Sequence, residues 1–116
     1  MTDATRRAVA YIAARMAGGR DTNSVYDFES RGHFSFSGTV EPGSVNIFDY
    51  SSRCHIGGSG GMLYHFGTRS HFNLEVRGSN LNGYDFLSRS HFTGSIYGSS
   101  VSIYDYETRR YHRYSV

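Results

Sequence analysis

The motif aromatic-Asp-aromatic-x-Ser/Thr-Arg-x-His-Phe recurs five times in this chain, so any fold it adopts must give every copy an equivalent place. The copies begin at Tyr26, Phe48, Tyr64, Tyr84 and Tyr104, in steps of 22, 16, 20 and 20 residues. Arg holds the sixth position of every copy, and Ser or Thr always precedes it. The spacing predicts two short strands per copy, joined by a tight turn over x-Ser/Thr-Arg-x. A second turn follows each His-Phe strand, at Glu41-Pro42-Gly43, Gly57 to Gly61, Arg77 to Asn80 and Gly98 to Ser100. Between the turns lie alternating stretches such as Val101-Ser102-Ile103-Tyr104-Asp105-Tyr106. Period two sets Tyr104 and Tyr106 on one face and Asp105 on the other. About ten strands in a meander result. The second interval is short and rich in glycine, so its hairpin is expected to be the weakest.

The fold class is therefore all-β, with one short N-terminal helix. Five copies bound four intervals, which suggests a pseudo-four-fold repeat of hairpin units of about 20 residues. The first and last copies would meet to close a ring, and closure removes exposed strand edges. The alternative is a linear hairpin solenoid, which needs a cap at each end. A helix could cap one end, whereas the chain finishes on the motif at the other.

Residues 3–17 are predicted helical, capped by Thr2 or Asp3 and stopped by Gly18-Gly19. Arg20 to Asn23 form a polar link. Residues 1–23 are thus helix and link, and residues 24–116 the repeat β-domain, together one domain. Val9, Ile12, Ala13 and Met16 share one helix face, which either docks on the β-domain or serves a homo-oligomer or protein partner.

Composition narrows the function. With no Trp and few aliphatics outside the helix, the core is expected to be mostly Tyr and Phe, including Tyr84 and Phe92. Every basic residue is Arg, and the net charge is only +2, which argues against nucleic acid as partner. Cys54 is the single cysteine, so no intrachain disulfide forms. No apolar run reaches the roughly 20 residues of a membrane span. Arg6 and Arg7 precede the apolar stretch Ala8 to Ala14 in the manner of a signal peptide, but Arg15 interrupts it. A cytoplasmic location is favoured.

The repeated Tyr-Asp-Phe/Tyr…His-Phe units, the helix ending in Gly-Gly and the closing Tyr104-Asp105-Tyr106…Tyr111…Tyr114-Ser115-Val116 resemble the small bacterial family described as the four-fold beta scutoid. The resemblance covers residues 8–116 and implies a compact β-domain with pseudo-four-fold repetition. It transfers no activity. His65 replaces the repeated Asp, and each turn carries Arg where Gly would be a natural turn residue.

Three sets of repeated polar residues are candidates for chemistry. Asp27, Asp49, Asp85 and Asp105, with His65 at the equivalent position, either fix the turns by accepting hydrogen bonds or form a ring of carboxylates around a cation. Arg31, Arg53, Arg69, Arg89 and Arg109 crowd one end, as a solvated rim or as an anion-binding surface. His33, His55, His71 and His91 would hold a transition metal only if they converged on an axis. No Gly-x-Ser-x-Gly turn is followed by a helix, and Gly58-Ser59-Gly60-Gly61 is no phosphate cradle for the same reason. The chain is expected to be a non-enzymatic structural or interaction domain without cofactor. Alternatives are a carbohydrate or small-ligand module and a His-ring metal site.

Overall fold

The computed structural model of the chain describes residues 1–18 and 22–116. Gly19, Arg20 and Asp21, part of the expected helix stop and link, lie outside the described residues. Helix α1 (Asp3–Gly18) is followed by β1 (Ser24–Asp27), β2 (Gly32–Glu41), β3 (Ser44–Asp49), β4 (Cys54–Ser59) and β5 (Met62–His65). Then come β6 (Ser70–Arg77), β7 (Asn80–Asp85), β8 (Ser90–Tyr97), β9 (Ser100–Asp105) and β10 (Arg110–Ser115).

The ten strands form one closed antiparallel barrel, in which every strand pairs with its neighbours in sequence and β1 pairs with β10. The closing register is Tyr26 opposite Ser115 and Asp27 opposite Tyr114. Closure rules out the solenoid. Five motif hairpins stand at one end of the barrel and four linking hairpins at the other, with the β1–β10 seam in the fifth gap. The repetition is therefore five-fold and not the expected four-fold, the β1–β10 seam standing in place of a fifth linking hairpin.

The helix fills the barrel. Residues Ala8 to Ala14 are all at most 1% exposed, so no face of this stretch reaches solvent. It packs on β1 and β2 and also on β6, β8 and β9, across the lumen. Ten strands about 4.8 Å apart, tilted about 40°, close at a radius of about 10 Å, which leaves room for a slim helix. Ala8, Ala10, Ala13 and Ala14 keep it slim. Thr2 caps it, its Oγ1 accepting the Thr5 N–H at 3.1 Å. The helix thus docks on the β-domain, from within, and the alternative of a helix-mediated oligomer or partner contact is corrected, because its apolar surface is spent inside its own barrel. Among the described residues no helix is long and apolar enough to cross a membrane.

The core also differs from expectation. Strand β7 buries Leu81, Gly83 and Asp85 and leaves Tyr84 half-buried on the outside. Every motif repeats this. The lumen is lined by aliphatics such as Ile47, Leu63 and Ile103, with Phe36, Phe72 and Phe92, and Tyr11 of the helix stacks on Phe36 at 4.7 Å. Phe92 is core as expected, and Tyr84 is not. The aliphatic residues of each strand share the parity of the Asp, so burying them turns the motif tyrosines outward.

Candidate functional site

The motif end of the barrel carries all three repeated polar sets, and the wall divides them. The Asp/His set points inward and is buried. Asp27 Oδ1 accepts the Glu29 N–H at 2.9 Å, Asp49 Oδ1 the Ser51 N–H at 3.0 Å, and Asp105 Oδ1 the Glu107 N–H at 3.0 Å. Asp85 Oδ2 accepts the Ser88 hydroxyl at 2.8 Å. His65 imitates them: its Nδ1 accepts the Gly67 and Thr68 N–H groups at 3.1 and 3.2 Å. The imidazole proton therefore sits on Nε2. The turn-fixing role is the one the geometry supports, and in three turns the Arg main chain contributes: the Arg31, Arg69 and Arg109 N–H groups donate to the carbonyls of Asp27, His65 and Asp105 at 2.8, 2.8 and 2.7 Å.

Three of the four buried carboxylates, Asp27, Asp85 and Asp105, meet positive charge from the N-terminal segment, whereas Asp49 Oδ2 is buried without a hydrogen-bond partner among the described residues. Arg6 donates from Nη1 to Asp105 Oδ2 at 2.9 Å and from Nε to the Tyr114 hydroxyl at 3.1 Å. Arg7 lies over the Phe34 ring at 3.8 Å, with Nη1 3.9 Å from Asp27 Oδ2. The Met1 amino group lies 3.2 Å from Asp105 Oδ2 and also meets Glu107. Burial alone would raise the Asp105 pKa, but the Glu107 amide, the amino group and Arg6 together hold it below the usual carboxylate value. The positive end of the helix dipole faces the same carboxylates. Arg6 and Arg7 are thus interior counterions.

Cys54 Sγ is 3.8 Å from His65 Nδ1, but the two are not a nucleophile and its base. That nitrogen already takes two amide protons, and burial and Asp49 push the thiol pKa up. Burial likewise lowers the pKa of His65, keeping it neutral. Among the described residues no group of three His, Cys, Asp or Glu side chains could hold a metal ion.

His33, His55, His71 and His91 are exposed on the outer wall, on alternate strands β2, β4, β6 and β8. Their strands are about 10 Å apart and the axis is occupied by the helix, so the four imidazoles do not converge. Each instead packs on the motif aromatic directly opposite in the neighbouring strand. Tyr84 is the model case, with His91 at 4.8 Å on one side and Phe86 at 4.9 Å on the other. The other copies repeat it, Tyr111 replacing His in the last. The outermost ring of each triad, Phe28, Tyr50, Phe66, Phe86 or Tyr106, is between 46% and 58% exposed.

Beside each triad stands the turn Arg. All five adopt left-handed backbone, with φ between 54° and 59°. Such a conformation costs an L-residue roughly 1–2 kcal/mol, and glycine is its natural occupant. All five are exposed, and none of their side chains has a hydrogen-bond or ion-pair partner among the described residues.

At the opposite end, a cleft of about 760 Å³ opens beside the short β4–β5 hairpin, where Met16, Val40, Leu74 and Val76 meet Glu41 and Asn73. No repeated polar residue of the motif reaches it. The fold and site define a helix-filled, closed antiparallel β-barrel with an aromatic and arginine rim. No family model, curated protein or solved structure matches the chain.

Proposed function

We propose that this protein is a non-enzymatic interaction domain that engages its ligand through the outer rim of the motif end. The buried Asp, His65 and helix arginines serve folding, and the exposed triads and turn arginines serve binding. The observation that carries this reading is the five unpartnered arginines held in left-handed backbone. On the motif alone, we also propose kinship with the four-fold beta scutoid family. The test replaces Arg53, Arg69 and Arg89 by glycine and measures thermal stability. A melting temperature equal to or above that of the parent is expected. A loss on the order of 2 kcal/mol or more, the size expected for structural residues, would make the arginines part of the fold and overturn the reading.

A further inference from the structure

Building on that reading, we propose that the arc of rim formed by the second, third and fourth motifs binds an acidic glycan, a sugar chain bearing carboxylate groups. The rim is not electrostatically uniform. The first and fifth motifs, at the seam, carry Glu29 and Glu107. Glu29 lies 2.6 Å from Arg110 across the seam, and Glu107 meets the Met1 amino group. From residue 48 to residue 92 there are three acids, of which Asp49 is fully buried. Asp85 is buried inside, and Glu75 pairs with Arg77 at 2.8 Å. Among the described residues, the arc therefore presents Arg53, Arg69 and Arg89 with no exposed carboxylate paired to them.

The chemistry of the arc suits a sugar acid. A guanidinium fork pairs with a planar carboxylate through two parallel hydrogen bonds. Tyr50, Phe66 and Phe86 offer flat apolar surface for the C–H face of a pyranose. Each is braced by a T-shaped contact to Phe48, Tyr64 or Tyr84, with centroids 4.8 to 5.0 Å apart, so little freedom is lost when a ligand covers it. A neutral sugar would leave the strained arginines without a purpose. Nucleic acid binding draws on the neutralisation of many phosphates, for which a net charge of +2 is poor provision.

Geometry sets the valency. Successive motifs stand two strands apart, about 10 Å at the backbone, so the three arginines span at least about 20 Å. One exposed ion pair favours binding by a factor of only a few, but linked pairs multiply. A monosaccharide should therefore bind immeasurably weakly and a chain well.

The experiment titrates the full chain with galacturonic acid, a long oligogalacturonate, a neutral glucan oligomer and an oligodeoxythymidylate, followed by nuclear magnetic resonance. R53Q/R69Q/R89Q and R77Q/R113Q are compared with the parent, after thermal melts confirm that all three fold. The oligogalacturonate should perturb Tyr50, Phe66 and Phe86, and galacturonic acid should not. R53Q/R69Q/R89Q should weaken binding on the order of ten-fold or more, and R77Q/R113Q, exposed arginines away from the motif turns, less than about two-fold. Equal losses in the two variants, equal binding of the neutral glucan, or preference for the oligonucleotide would each overturn the assignment. Silence towards every probe would overturn it too. The arginine-to-glycine melts judge the interaction-domain reading separately.

Discussion

His65 and Gly67 form a coupled exception to the repeat, which yields a quantitative prediction. The other motifs place a carboxylate at the second position and Glu, Ser or Leu at the fourth. The third motif has the larger imidazole, and glycine two residues on. A Cβ added to Gly67 would stand 2.9 Å from His65 Cε1 and 3.0 Å from Cys54 Sγ, closer than real contacts allow. His65 cannot swing away, because it is 1% exposed and pinned by two turn amides. Gly67→Ala should therefore cost about 1–3 kcal/mol, the usual range for overpacking. For a domain of this size that lowers the melting temperature by roughly 4 °C per kcal/mol. With His65→Asp in place, the imidazole is gone and only the thiol contact remains. The same alanine should then cost less, leaving a coupling on the order of 1–2 kcal/mol. The assay is thermal and urea denaturation of the parent, the two single variants and the double variant. An alanine that costs the same in both backgrounds, or nothing in either, would refute the steric coupling.

Three further outcomes are expected. Arg6→Leu should destabilise the protein by about 3–5 kcal/mol, measured by urea denaturation, because it strips the buried Asp105 of a counterion. Phe92→Ala should cost about 3–5 kcal/mol, whereas Tyr84→Ala, from the half-exposed outer wall, should cost distinctly less; equal losses would reverse the inside and outside assigned to the motif. Stability should also fall on acidification. Burial lowers the pKa of His65 and His112 in the folded chain, so the unfolded chain takes up these protons first, near pH 6.5. What the neutral imidazoles contribute is complete above about pH 6.5 and is lost as the pH falls through their folded pKa values. The depressed Asp105 pKa adds a further loss in more acid solution. His65→Asn should flatten the fall in urea midpoint between about pH 7 and pH 5.

Much of the architecture was legible in the residues. The motif register located all five Arg turns, the linking glycines located the other hairpins, and the predicted helix differs from α1 by one residue at its end. Closure was favoured because it covers every strand edge. The hydrogen bonds from turn amides to the repeated Asp were also readable, since Asp at that offset is a turn-forming choice.

Which face of the wall is inside was not. Alternation sorts Tyr84 and Asp85 to opposite sides, and local hydrophobicity favours burying the tyrosine. The parity of whole strands says otherwise, because Val45 and Ile47 stand with Asp49, and Val101 and Ile103 with Asp105. Buried carboxylates such as Asp27 and Asp105 become tolerable when cations arrive, and those are Arg6 and Arg7, on a helix roughly a hundred residues away in sequence from Asp105. A helix apolar all round from Ala8 to Ala14 hinted at burial, but not at burial within its own barrel. The sequence alone determined the turns and the strand alternation, because these rest on local geometry and a short period, and it favoured a ring without excluding a solenoid. Only the tertiary structure decided inside from outside, because that choice rests on the charge and volume brought by a distant segment.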